Sequence, residues 1–235
     1  MAKLGVNIEA VAAMRQEKHS TNPDPVTAAN LAEIGGAKSI VCPVNEQFSP
    51  VTERDVKILK ETVQSHFNLQ MPLAESMLRL ALSVKPDMVT LIPDHEQAMK
   101  QPSMEMLAQN SHLGTALSEL HEHNIVVSVL VTPHLHHIKT AARLGLDYIE
   151  LYLGQLAESQ TVHERADHLL NIGSVAAAAS KLGLGVCAGY GVDFDNIAEL
   201  AQIEFIEDIN AGHAVVSRAL WVGMENAVRD MIALL

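Results

Sequence analysis

An α/β chain folded as a (β/α)8 TIM barrel is the architecture this sequence predicts, on three observations. Short apolar runs alternate with longer segments of helical period, an alternation that implies a parallel sheet covered by helices. Eight such runs in 235 residues give roughly 29 residues per unit, close to the repeat of a (β/α)8 barrel. Hydrophobic residues make up 48% of the chain and aromatics only 3%, so a sizeable core has to be built from Leu, Ile, Val, Ala and Met. A doubly wound open sheet is the competing arrangement.

The predicted strands are, in order, Leu4–Ile8, Ser39–Val44, Asn68–Met71, Met88–Ile92, Ile125–Val131, Tyr148–Leu151, Gly185–Ala188 and Phe205–Ile209. Between them, Val56, Leu59, Lys60 and Val63 mark one helix, and Met77, Leu80, Ala81 and Val84 the next. The longest helical stretch runs from about Glu158 to Leu182, where the Ala176–Ala179 run is a strong helix former. Gly35-Gly36, Gly145 and Gly183 stand where helices should stop before the second, sixth and seventh strands. Pro25, Pro133 and Asp193 read as helix starts. With no linker, low-complexity tract or charge block, residues 1–235 read as one domain.

The net charge of -12 argues against nucleic acid or an anionic membrane surface as the main partner, because both select basic patches. Cys42 and Cys187, far apart, make no disulfide framework and read as packing residues on strands. The first residues carry no signal-peptide pattern, and no apolar run reaches the ~18 residues of a membrane helix, so a cytoplasmic location is expected.

A barrel of this kind keeps its chemistry at the C-terminal ends of its strands. Those positions carry Asn7 and Glu9, Pro43 and Asn45, Gln70, Asp94, Thr132 and His134, Glu150 and Tyr152, Gly189-Tyr190-Gly191, and Asn210-Ala211-Gly212-His213. Glycines after strands seven and eight let backbone N–H groups approach a ligand, and a following helix N-terminus adds its dipole. Gly191, Gly212 and His213 are therefore a candidate phosphate site; the alternative is that the glycines only serve tight turns. An acidic ring lining that pocket would sink the phosphate reading. Glu150 is the clearest strand-end carboxylate, either orienting a ligand or bonded to its buried surroundings. His134 and His137 invite a metal reading, but no carboxylate or cysteine nearby in sequence completes a set, and a solvated helix end is preferred. His121-Glu122-His123 reads the same way.

Several of these segments together resemble pyridoxine 5'-phosphate synthase, in order and in register along the whole chain. They are Gly5-Val6-Asn7-Ile8, Arg15, Pro23-Asp24-Pro25, the helix Thr52–Leu59, Asn68-Leu69, Lys85-Pro86, Gly189-x-Gly191 and Asn210-x-Gly212-His213. The resemblance implies a barrel with extra helices, assembled as an octamer built from dimers. It implies condensation of 1-deoxyxylulose 5-phosphate with 3-amino-2-oxopropyl phosphate through a Schiff base and dehydrations, with no metal or other cofactor. By the same resemblance Gly191, Gly212 and His213 match the phosphate loops, and Asn7, Arg15, Glu150 and Tyr152 fall at other pocket positions.

The chain also departs from the family pattern. The first loop, Asn-Ile-Asp-His in the family, is Asn7-Ile8-Glu9-Ala10 here, and the His-Leu-Arg-Glu-Asp-Arg-Arg-His after strand two is Pro43-Val44-Asn45-Glu46-Gln47-Phe48-Ser49-Pro50. Asn-Leu-Glu-Met becomes Asn68-Leu69-Gln70-Met71, and the Glu-Gly-Gly of the mobile loop becomes Pro102-Ser103-Met104. Of Glu-x-His-Thr-Gly only Glu150 and Gly154 persist, and Ala-Gly-His-Gly reads Ala188-Gly189-Tyr190-Gly191. Pro43 has no side-chain proton to exchange, Gln70 is no base, and a tyrosine such as Tyr190 has an ordinary pKa near 10. Glu150, Tyr190 and Gln70 are the remaining catalytic candidates. The expectation is a barrel that has lost the ancestral condensation and keeps a pocket for a phosphorylated small molecule, as a homo-oligomer or beside an active paralogue. The alternatives are a different reaction on such a molecule, or the family reaction carried by unusual residues.

Overall fold

The computed structural model describes residues 2–17, 20–46 and 49–235; Gln47 and Phe48 of the second-strand loop lie outside these residues. Eight parallel strands close in sequence order: β1 Lys3–Asn7, β2 Ser39–Pro43, β3 His66–Met71, β4 Met88–Leu91, β5 Val126–Val131, β6 Tyr148–Tyr152, β7 Gly185–Gly189 and β8 Asp208–Ala211. The seam is the β8–β1 pairing, with Gly5 opposite Asn210. The chain is a (β/α)8 barrel, as the alternation predicts, and the open sheet is excluded by that closure.

Helices α1 Glu9–Glu17 and α2 Pro25–Gly35 follow β1, α3 Glu53–Thr62 follows β2, and α4 Glu75–Val84 follows β3. The β4–β5 connection carries α5 Glu96–Met99, α6 Met104–Gln109 and α7 Leu113–Glu122, and α8 Leu135–Leu144 follows β5. Then come α9 Gly154–Ala157, α10 Val162–Lys181, α11 Ile197–Leu200, α12 His213–Val222 and α13 Met224–Ile232. Local chemistry sets many of these ends. Asp24 caps α2 by accepting from the Val26 and Thr27 N–H groups, and Gly36 ends it at φ 111°. Thr52 and Asp55 form a capping box on α3, and Thr161 and Glu164 form one on α10.

Four expectations shift. Phe205 has φ 75°, which interrupts an extended run, so the last strand begins at Asp208 rather than at Phe205. Pro133 lies two residues ahead of α8, and Asp193 accepts from the Asp195 and Asn196 N–H groups in a turn preceding α11. The long helix starts at Val162, because the Thr161 box fixes its first turn and Gly154–Ala157 forms a helix of its own.

Alternation along the strands sorts the side chains. Leu4, Val6, Ile40, Phe67, Leu69, Val89, Val127, Ile149, Val186 and Ile209 belong to the main apolar core. Residues of the opposite parity fill the barrel interior, and many are polar: Ser39, Asn68, Gln70, Thr90, Ser128, Glu150 and Asn210 are all buried. Buried polar groups are usually paired, and Thr90 donates to Asn68 Oδ1 at 3.0 Å, whereas the Ser128 hydroxyl finds no partner among the described residues. Both cysteines are buried on strands, with their thiols pushed up by burial, which leaves them inert. No helix among the described residues is long and apolar enough to cross a membrane.

Candidate functional site

At the C-terminal mouth of the barrel a cavity of about 620 Å³ is walled by Asn7, Glu9, Glu150, Tyr190, Gly191, Asp193, Asn210, Gly212 and His213 among others. A second cavity of about 360 Å³ lies beside it, walled by Glu9, Pro43, Asn45, Ile92, His95 and Met99, with Glu9 and Tyr190 common to both.

Glu150 is the centre of the arrangement. It is 1% exposed, its Oε1 accepts from Asn210 Nδ2 at 3.0 Å, and its Oε2 accepts from Gln70 Nε2 at 2.8 Å. Gln70 Oε1 in turn accepts from the Tyr190 hydroxyl at 3.0 Å. Closure of the sheet is what brings these groups from β3, β6, β8 and the loop after β7 to one point. Two glycines make the room: a Cβ at Gly189 would stand 2.2 Å from Glu150 Oε1, and one at Gly5 would stand 2.1 Å from Asn210 Oδ1. Burial raises the Glu150 carboxyl to about 7, and the two amide hydrogen bonds only partly offset that rise. Burial also raises Glu9, whose backbone N–H donates to Asn7 Oδ1 at 2.9 Å. Burial and the Glu150 and Glu9 charges hold the Tyr190 phenol well above its ordinary value, so it stays a proton donor in hydrogen bonds.

The candidate phosphate residues come together on the cavity wall. Gly191 has φ 105°, and its missing side chain leaves room for Ala157 and the Leu153 carbonyl. Gly212 is needed for close approach: a Cβ there would stand 3.1 Å from that of Asn7. It opens α12, whose N-terminus has no side-chain cap, and His213 Nε2 lies 3.3 Å from Ser217 Oγ. Lysine and arginine do not occur among the described residues walling either cavity, whereas Glu9, Glu150 and Asp193 do.

Arg15 is placed differently from the other expected pocket residues and lines neither cavity. Its guanidinium donates to both oxygens of Asp55, at 2.9 and 2.6 Å, and to the Pro50 carbonyl at 3.1 Å. Tyr152 leans on Tyr190 with ring centroids 5.9 Å apart and covers Gly154. His134 and His136 are exposed, as a solvated helix end requires, whereas His137 is buried where α6 packs against α8. His137 is buried, its Nδ1 accepts from the Met104 N–H at 3.4 Å, and Glu105 lies 3.7 Å from His136 and 3.8 Å from His137. No group of three or more potential metal ligands is gathered among the described residues. The residue whose part sequence reasoning left open is Asn210, the partner of Glu150; its signal is an amide at inward parity on the last strand.

Fold and site together define a (β/α)8 barrel with a polar, partly acidic cavity at the catalytic face of the sheet. The model of the family described as "Pyridoxal phosphate biosynthesis protein PdxJ" matches residues 4–235, and the chain belongs to that family. It is 40% identical over 235 residues to a pyridoxine 5'-phosphate synthase of Syntrophobacter fumaroxidans, covering 100% of this chain and 99% of that protein. To that of Geobacter metallireducens it is 39% identical over 236 residues, with the same coverage. Among solved structures, thiamine phosphate pyrophosphorylase from Pyrococcus furiosus superposes with TM-score 0.64 at 17% identity, covering 99% of this chain and 94% of the other. Phosphoribosylanthranilate isomerase from Thermotoga maritima gives 0.63 at 11% identity, covering 100% and 98%. Those two likenesses concern the fold alone.

Proposed function

We propose that this PdxJ-family barrel holds a phosphorylated small molecule at Gly191, Gly212 and His213 and no longer carries out the condensation of pyridoxine 5'-phosphate synthesis. The observation that carries the reading lies at the ends of β2, β3 and β7. Pro43 and Tyr190 stand on the cavity walls with Gln70 hydrogen-bonded beneath, and none of the three exchanges a proton near neutral pH. A general acid or base contributes about 10²–10⁴ in rate, so a ring closure with several proton transfers loses useful turnover when three are missing. The uncapped N-terminus of α12, approached closely through Gly212, supports the phosphate end. The three carboxylates oppose it less than their number suggests. Burial raises Glu9 and Glu150 toward their neutral forms, and one oxygen of Asp193 is held by two backbone N–H groups.

The decisive assay incubates the protein with 1-deoxyxylulose 5-phosphate and 3-amino-2-oxopropyl phosphate and follows pyridoxine 5'-phosphate by chromatography beside an active relative. No product is expected; product at a comparable rate refutes the reading. Gly212→Asp combined with His213→Ala is expected to abolish calorimetric binding of phosphate monoesters, and unchanged affinity overturns the site.

One observation favours a second reading, a different reaction on a phosphorylated molecule: a carboxyl at about 7 on the cavity wall is poised for acid–base work. In that case a phosphorylated ketone held in D2O exchanges its α-protons, and Glu150→Gln abolishes the exchange. The same proposal includes assembly as a homo-oligomer or with a paralogue, supported by exposed apolar residues on α2 and α12.

A further inference from the structure

A cavity walled by carboxylates and, among its described residues, by no lysine or arginine needs some way of accepting an anion. The hydrogen-bond chain beneath it supplies one. In the arrangement observed, both Glu150 oxygens face amide donors, as suits a carboxylate, and the Tyr190 hydroxyl spends its proton inward on Gln70 Oε1. A proton placed on Glu150 needs an acceptor, which requires one of the two amides to turn over. Turning Asn210 would aim its NH2 at Gly5, because Oδ1 now points at that glycine. Turning Gln70 leaves every group satisfied: Oε1 accepts from the Glu150 carboxyl, and Nε2 donates to the Tyr190 oxygen, which accepts as readily as it donates. The Tyr190 proton is then released toward the cavity that its side chain lines.

We infer that the cavity takes up an oxyanion together with one proton, the proton going to Glu150 while Gln70 turns over and Tyr190 redirects its hydroxyl to the anion. This rests on the phosphate reading above and adds to it a ligand donor, Tyr190, and a positioning residue, Gln70. The surroundings of Glu150 suit the exchange. Asp208 and Cys187 lie along β8 and β7, Glu9 and Tyr152 stand at the mouth, Leu130 faces it from β5, and the charges among them are negative. Burial and the Asp208 charge favour the neutral carboxyl, and an arriving anion favours it further.

The test uses inorganic sulfate, which keeps its charge between pH 5.5 and 8.5 where phosphate would titrate. Calorimetry in buffers of different ionisation enthalpy is expected to show uptake of up to one proton per sulfate bound at pH 7.5. Affinity is expected to fall by up to about tenfold per pH unit above the carboxyl's value of about 7, because binding and protonation are linked. Glu150→Gln, neutral at every pH, is expected to bind sulfate with pH-independent affinity and to lose the uptake. Tyr190→Phe is expected to keep the uptake and bind about tenfold more weakly at pH 6, as loss of a hydrogen bond to a charged group predicts. Uptake that persists in Glu150→Gln assigns the proton to another group such as His213 and overturns the inference, as does binding with no uptake in the wild-type protein; in both cases the phosphate reading stands. Unchanged affinity in Tyr190→Phe removes Tyr190 as the donor. Absence of sulfate binding at every pH, in wild type and Glu150→Gln alike, overturns the phosphate reading and this inference together.

Discussion

Glu150 is a carboxyl that the fold keeps out of water, and its consequence for stability has a definite sign. Its folded pKa of about 7 stands above the ordinary 4.5, so between those values the native state binds the proton more tightly than the unfolded chain. Stability from this group is therefore fully present below about pH 4.5 and declines as pH rises toward 7. The whole effect is on the order of 3 kcal/mol. Glu150→Gln is expected to raise the melting temperature at pH 8 and to change it little at pH 4.5. Equal effects at the two pH values in thermal unfolding would show that the carboxyl is not raised. Glycines 189 and 5 are legible in sequence only as small residues on strands. That each one clears space for a side chain of a neighbouring strand becomes visible only once Glu150 and Asn210 are in place.

At the scale of elements, the local signals were legible and the long-range ties were not. Thr52 with Asp55 and Thr161 with Glu164 follow the capping-box spacing, and Gly36 and Gly145 stop their helices at positive φ. Arg15 sits at a family pocket position in the sequence, yet in the fold it ties α1 to the first turn of α3 through Asp55, forty residues on. The Asp55 side chain is 0% exposed and that of Arg15 is 12% exposed. Burial pushes the Asp55 carboxyl up, but the Arg15 and Thr52 hydrogen bonds outweigh it and hold the group below its usual value. Removing one partner leaves a buried charge unpaired, so Arg15→Ala is expected to destabilise the protein by about 3 kcal/mol in urea unfolding. A loss below about 1 kcal/mol would assign this pair the small value of an exposed bridge. Asp55→Ala should remove the stabilising charge pair and the α3 cap together, and its effect should not add to that of Arg15→Ala, because the two residues share one interaction.

At the scale of the whole molecule, several large apolar side chains remain in water, among them Ile34 at 61% exposed, Leu220 at 65% and Trp221 at 82%. Exposed tryptophan is a frequent anchor of interfaces, and α2 and α12 carry these residues together with Leu31. Light scattering on the purified protein is expected to give a homo-oligomer, and Leu220→Glu with Trp221→Glu is expected to yield smaller species. A monomeric wild-type protein would leave that face without the expected occupant. The sequence by itself determined the strand–helix alternation, most helix stops, the barrel class and the family pattern, because period, caps and turn glycines act over a few residues. Only the tertiary structure decided that Gln70 and Asn210, eighty and sixty residues from Glu150, would both donate to it, that its carboxyl would rise to about 7, and that Arg15 would turn to Asp55. Those outcomes depend on closure of the sheet, which sets distance and dielectric across the barrel, and neither quantity is encoded in spacing along the chain.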